Sequence, residues 1–214
     1  MKKLFSILTI FSLSLIAANA TEQDTVDRSA VTIREFQHMP EKGIPSRILR
    51  HARGLAIISV VKAGFIFSGK AGEGVVVAQT EHGWSGPSFI GTGGAGWGPQ
   101  IGAQVTDFVI VLNTERAVRA FSKGGNVTLG ADASVAAGPV GRAAEADVTP
   151  RAAIYTYSKT KGLFIGASLE GAVIGTRKGA NAHYYRRPVT AYDILHGRVA
   201  APAGAANLRA ALGH

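Results

Sequence analysis

Residues 84–102 read WSGPSFIGTGGAGWGPQIG, and seven of these nineteen are glycine, beside two prolines and both tryptophans of the chain. A linker has no use for indole rings. Glycine is chosen where φ turns positive or where a neighbouring backbone comes too close for a Cβ, so this density beside bulky aromatics predicts tight bends between strands. Gly91, Gly93 and Gly96 fall in GxGxxG spacing, and Glu115 lies near the place of a ribose-binding acid. That fingerprint needs a helix to open at its third glycine and hold the pyrophosphate. Here Gly98, Pro99 and Gly102 follow, and then the strand-like TDFVIVL. Strand bends are the better reading.

On either side the texture is the same: LAIISVV, GFIFSG, GVVVAQT, SFIG and DFVIVL are short β-branched and aromatic runs broken by glycine. They read as strands of an antiparallel sheet. GNVTLGADASVAAGPVGRAAEADV promises further strands and a loop at Gly138-Pro139, and AIYTYSKTKGLFIGASLEGAVI two strands turning at Lys161-Gly162, with Tyr155 and Tyr157 on one face. Helices gather at the two ends. Asp24 or Thr25 is placed to cap one on which Val26, Ala30, Ile33 and Phe36 form a stripe that ends before Pro40. A second is expected from Pro45, in its first turn, to about Arg53, with Ile48, Leu49 and Ala52 on one side and Arg47, Arg50 and Arg53 across the other. Asn113 or Thr114 caps a short helix through Phe121, Thr190 caps another, and AGAANLRAAL makes the last. The pattern predicts an α+β fold, an antiparallel β-barrel-like core with several short helices packed on its surface.

The first twenty residues are set apart. Lys2 and Lys3 precede an apolar run from Leu4 to Ile16, and Ala18-Asn19-Ala20 ends it with small residues, the layout of a cleavable secretory signal. Cleavage is expected after Ala20, leaving 21–214 as a single domain, periplasmic or secreted, with no transmembrane segment. There is no cysteine, which excludes disulfides, thiolate metal sites and a cysteine nucleophile. The net charge is +9, or +7 once Lys2 and Lys3 are removed. Its distribution is uneven. Residues 42–72 hold Lys42, Arg47, Arg50, Arg53, Lys62 and Lys70 with no acid, and residues 171–192 hold Arg177, Lys178, Arg186 and Arg187, again with none. Such runs suit an anionic partner, or a solvated face.

Enzyme signatures are missing. None of the six histidines (His38, His51, His82, His183, His196, His214) shares a metal-binding helical spacing with another, and neither GxSxG nor GxxxxGK[ST] occurs. Glu81 beside His82, Asp107, and the Glu145/Asp147 pair give no fixed acid–base geometry. Asn126-Val127-Thr128 is a glycosylation sequon, meaningful only on a eukaryotic secretory route.

AVTIREFQH, IPSRILRHARGLAIISVVKAGFIFSGKAGEGVVVAQ, WSGPSFIGTGGAGWGPQIGAQVTDFVIVL, LGADASVAAGPVGR, YTYSKTKGLFIGASLEGAVI, NAHYY and VTAYDIL resemble, in this order, the SYLF domain family over roughly residues 25 to 212. The WSxP, GxQxG and AAGPxGR elements together are specific. TKGLF, Thr160 to Phe164, stands where many relatives have SKGLF. The resemblance implies a β-barrel-like core with helices on its surface and binding to acidic phospholipids, phosphoinositides in eukaryotic members. Some fungal members are linked to actin assembly, usually beside an SH3 domain. With a signal and no SH3 domain in this sequence, the expectation is a bacterial envelope protein without an actin role.

The functional expectation is therefore a non-enzymatic exported domain with no cofactor, metal or nucleic-acid partner. It associates weakly with an anionic lipid surface through Arg47, Arg50, Arg53, Lys62 and Lys70, with Arg177, Lys178, Arg186 and Arg187 as a second patch. The alternatives are a structural or protein-interaction module of the envelope and a carrier with a small ligand in the barrel.

Overall fold

Helix α1 (Glu22–Gln37) starts where Thr21 and Asp24 form a capping box, Thr21 Oγ1 accepting from Asp24 N at 3.1 Å and Thr21 N donating to the Asp24 carboxylate at 3.0 Å. The cap is Thr21, earlier than the expected Asp24 or Thr25, because the Thr-x-x-Asp pair satisfies two free donors at once. The stripe of Val26, Ala30, Ile33 and Phe36 is fully buried. The computed structural model describes residues 21–39, 43–131, 135–137, 152–162 and 172–213. Residues 1–20, where the signal is expected, Lys42, Gly138-Pro139, Glu145, Asp147 and His214 lie outside the described residues.

Helix α2 (Ser46–His51) has Pro45 as its N-cap, not in its first turn. Strand β1 then runs unbroken from Gly54 to Thr80 and β3 from Ser88 to Leu112, with the two-residue β2 (Gly83–Trp84) between them. What the sequence divides into five short strands is one long antiparallel ribbon, paired from Gly54↔Leu112 to Val76↔Ser88 and irregular only between Phe65 and Phe67. The glycines serve a bend in this ribbon instead of chain reversals. Arg53 O accepts from Gln79 N at 2.9 Å, so the first leg of β1 returns against its own second leg. A Cβ at Gly72 would lie 3.0 Å from Ser59 O, and one at Gly74 would collide with Ile57 O. Only glycine permits backbones that close.

The whole of β6 (Ile154–Gly162) pairs with the last part of β3, and β7 (Val173–Thr176) with its start, so the sheet curls round both flanks of the ribbon. Lys161 and Gly162 remain in strand β6 opposite Val105 and Gln104, and do not form the expected turn within it. β4 (Asn126–Thr128) pairs antiparallel with β7, while β5 (Val135–Ala137) pairs parallel with β6, the one departure from an antiparallel sheet among the described strands. The helices α3 (Glu115–Ser122), α4 (Lys178–Tyr184), α5 (Ala191–Leu195) and α6 (Ala206–Leu212) complete the α+β fold.

Both faces of the ribbon's base are buried, which is why LAIISVV reads as continuous apolar sequence instead of alternating. Leu55, Ile57, Val75, Val77, Val109, Val111, Tyr155 and Tyr157 face α1 and α6. The intervening Ala56, Ile58, Val76, Ile110 and Ile154 line the inside of the curl with Val127 and Ile174, closed by Val118 and Phe121 of α3. Burial in the first cluster pushes the Tyr157 hydroxyl up, aided by its neighbour Tyr155.

Candidate anion-binding surfaces

The basic residues singled out in the sequence are spread over several places. Arg50 and Arg53 come together. They line one open cleft of about 1060 Å³ with His51, His82, Arg119 and His196. Each wall is fixed locally. Arg50 Nη1 donates to Ser46 Oγ at 3.2 Å and His51 Nδ1 to Arg47 O at 2.8 Å, holding both on α2. The Arg53 backbone is pinned twice, its N donating to Leu112 O at 2.8 Å and its O accepting from Gln79 N. His82 is presented by the turn after β1, where Gly83 takes φ 87° and Thr80 Oγ1 donates to Gly83 O at 2.7 Å. His196 stacks on Tyr192 at 3.9 Å between centroids, with the Arg198 guanidinium 4.7 Å from that ring.

Two carboxylates share this cleft, Glu81 and Glu115. Glu115 accepts from Arg119 at 3.5 Å one helical turn away, an exposed pair that leaves Arg119 only partly neutralised. Arg50 and Arg53 are exposed and make no ion pair among the described residues. Arg47, half-buried on α2, completes the basic side of that helix.

Lys62 and Lys70 are elsewhere. Lys62 lies nine residue steps beyond Arg53, about 30 Å along β1. Lys62 follows Val60 by two residues and Lys70 precedes Gly72 by two, so both lie past the place where the two legs of β1 touch, toward the bend that forms the free end of the ribbon. The expected first patch is thus divided between the base of the ribbon, where both ends of β1 meet, and the bend in the middle of β1.

The second patch is divided as well. Arg177 Nη1 donates to Glu73 Oε1 at 2.9 Å, both side chains two-thirds buried, and so gives its charge to the fold. Lys178 opens α4 and lines a groove of about 780 Å³ with Lys123 and Asp193. Thr190 Oγ1 donates to the Asp193 carboxylate, which holds that carboxyl below its ordinary value, with Arg198 and Arg187 adding to the effect. Arg186, in a left-handed conformation with φ 54°, and Arg187 are exposed beyond α4 and border a groove of about 1020 Å³ shared with Glu22 and His183. Burial tends to raise the Glu22 carboxyl, but its own backbone N–H and the His183 contact at 2.9 Å outweigh it and lower the carboxyl below the usual range.

Sequence reading missed Arg119 and the gathering of His51, His82 and His196, which sit on four elements that only the fold brings together. It also missed α4. That helix starts Lys-Gly with no side-chain cap and buries just Ala180 and Asn181, so no apolar period marks it. Asn181 is nevertheless its anchor, the side chain accepting from Phe89 N at 2.7 Å and donating to Ser88 Oγ at 3.3 Å.

A family model described as Ysc84, Las17-binding protein actin regulator, matches residues 93–214. Human SH3 domain-containing YSC84-like protein 1 is 48% identical over 189 residues, 85% of this chain and 55% of that protein. SH3 domain-containing protein PJ696.02 of Schizosaccharomyces pombe is 52% identical over 167 residues, 76% of this chain and 39% of that protein. Protein YSC84 of Saccharomyces cerevisiae is 51% identical over 167 residues, 76% of this chain and 36% of that protein. The chain spans about half the length of the human relative and less of the fungal two, and all three relatives are eukaryotic.

Proposed function

Since the chain belongs to the Ysc84 family of SYLF domains, a family described as actin regulators, we propose that it is an exported, non-enzymatic member that associates weakly and reversibly with acidic phospholipid surfaces. The observation that carries the lipid reading is the acid-free basic run 42–72, from which Arg50, Arg53 and Lys70 stand exposed with no ion pair among the described residues. Each cation near an anionic surface contributes about 1 kcal/mol, so two acting together give about 2 kcal/mol, roughly one to two decades of partitioning. Among the described residues no helix is long and apolar enough to cross a membrane. Attraction of this size is salt-sensitive.

Export rests on Lys2, Lys3, the apolar run that follows and Ala18-Asn19-Ala20. Cleavage after Ala20 leaves Thr21, the N-cap of α1, in place, so the helix keeps its capping box. Flotation of the purified protein with acidic and neutral vesicles tests the lipid reading. Arg50→Glu/Arg53→Glu and Lys62→Glu/Lys70→Glu then assign it to the base or to the bend of the β1/β3 ribbon. Unchanged binding in both double variants would remove the basic run from the account.

A second reading is a protein-interaction module of the envelope with no direct lipid contact. It is favoured by the family description, which names a protein, Las17, as what its members bind. A partner retained at high salt, together with no recovery on any vesicle, decides for this alternative.

A further inference from the structure

The face of the ribbon that packs under α1 does not end where its cover ends. Passing outward from the base, the paired rows are Leu55/Val111 and Ile57/Val109, all buried beneath α1. Next comes a polar belt: Ser59 donates to Asp107 across the ribbon, and Lys159, in register with Asp107 on β6, donates to Glu35 of α1 at 2.8 Å. Beyond that belt the same face turns apolar again. Val61 pairs with Val105 and Ala63 with Ala103, and all four are exposed, the valines 47% and 40%. In the backbone register Phe65 is opposite Ile101 and, past the irregularity, Phe67 is opposite Trp97.

Among the described residues no element packs over this apolar row outside the polar belt, where Val61 and Val105 stay exposed. The surrounding charge says what it meets. Residues 61–72 and their partners 92–105, which make up this end of the ribbon, contain Lys62 and Lys70 and no Asp or Glu. Aromatic and aliphatic residues flanked by lysine alone have the composition of a segment seated at the headgroup–acyl boundary of an acidic bilayer. The Arg50/Arg53 cleft offers the contrary mixture, cations with Glu81 and Glu115 and a mostly polar set of side chains.

We propose that the free end of the β1/β3 ribbon is the part of this protein that enters an acidic lipid bilayer, shallowly, with Lys62 and Lys70 at headgroup level. This rests on the lipid reading above and assigns it to one end of the molecule. The opposite end then stays about 30 Å from the headgroups, well beyond the screening length at physiological salt.

Trp84 is buried in the core and Trp97 lies at the proposed tip. Trp84→Phe therefore leaves one indole as reporter, and its emission is followed on acidic vesicles carrying brominated acyl chains. Quenching is expected, relative to unbrominated vesicles of the same charge. Two exposed substitutions in the otherwise unaltered protein, Val61→Asn/Val105→Asn, are expected to lower recovery on acidic vesicles about tenfold or more while the melting temperature holds. Lys62→Glu/Lys70→Glu is expected to do the same, and Arg50→Glu/Arg53→Glu to change it less than about threefold. Flotation without quenching, or flotation lost only in the arginine variant, overturns the tip and leaves the lipid reading intact. No flotation with any vesicle overturns both. A stable dimer in sedimentation that Val61→Asn/Val105→Asn dissolves, with vesicle recovery unchanged, assigns the row to a second copy and also overturns the proposal.

Discussion

Arg177 and Glu73 form an ion pair at 2.9 Å that joins the start of α4 to the second leg of β1. A cation that the charge pattern offers for lipid is thereby committed to holding two elements together. Arg177→Gln should leave vesicle recovery unchanged and lower stability by about 1 kcal/mol or less, a fall in melting temperature of about 2–4 °C. Flotation and thermal melts of the same preparation check both halves.

Asn181 should matter more. Its side chain is fully buried and satisfies the Phe89 N–H. Asn181→Ala strands that donor in the core at a cost of about 1–3 kcal/mol. The melting temperature should fall by several degrees, with amide exchange fastest at 88–89 and in α4.

Bending the ribbon depends on Gly74, whose Cβ would strike Ile57 O. Gly74→Val forces the two legs of β1 apart and should cost about 3 kcal/mol or more. Gly69→Ala, at a position with open space around the new methyl, should change stability by less than about 0.5 kcal/mol. Equal melting temperatures for the two variants would contradict the bent arrangement.

Glu22 supplies an acid-side dependence. Its carboxyl is lowered in the folded protein, so the stability it contributes is present above the ordinary carboxylate range and is lost as pH falls through the folded value. Glu22→Gln should therefore be less stable than the parent at pH 5.5, and the difference should shrink toward pH 3. Melts of both proteins across that interval give the sign directly.

The elements were legible wherever a single local signal decides them. Thr114 and Thr190 cap the helices expected of them, and the apolar stripe of α1 is buried as its spacing predicts. The course of the sheet was not legible at the same level. Gly72 and Gly74 look like strand breakers when each run is read alone, yet they are places where two legs of one strand touch. Glycine density reports close approach without saying whether the chain turns or meets another part of itself. The candidate surface was half readable for a similar reason. Composition found Arg50, Arg53, Lys62 and Lys70, but sequence proximity placed them together, whereas the first pair lies at the base of the ribbon and the second at the bend of β1. In the sequence Arg177 reads as a free cation because its partner Glu73 lies over a hundred residues away.

Recovery of the purified protein on vesicles that differ only in acidic lipid content, at low and at high salt, bears most directly on the central claim. The account predicts strong recovery on acidic vesicles at low salt, a marked loss at high salt, and little on neutral vesicles at either. Equal recovery on acidic and neutral vesicles, or none on either, would contradict it.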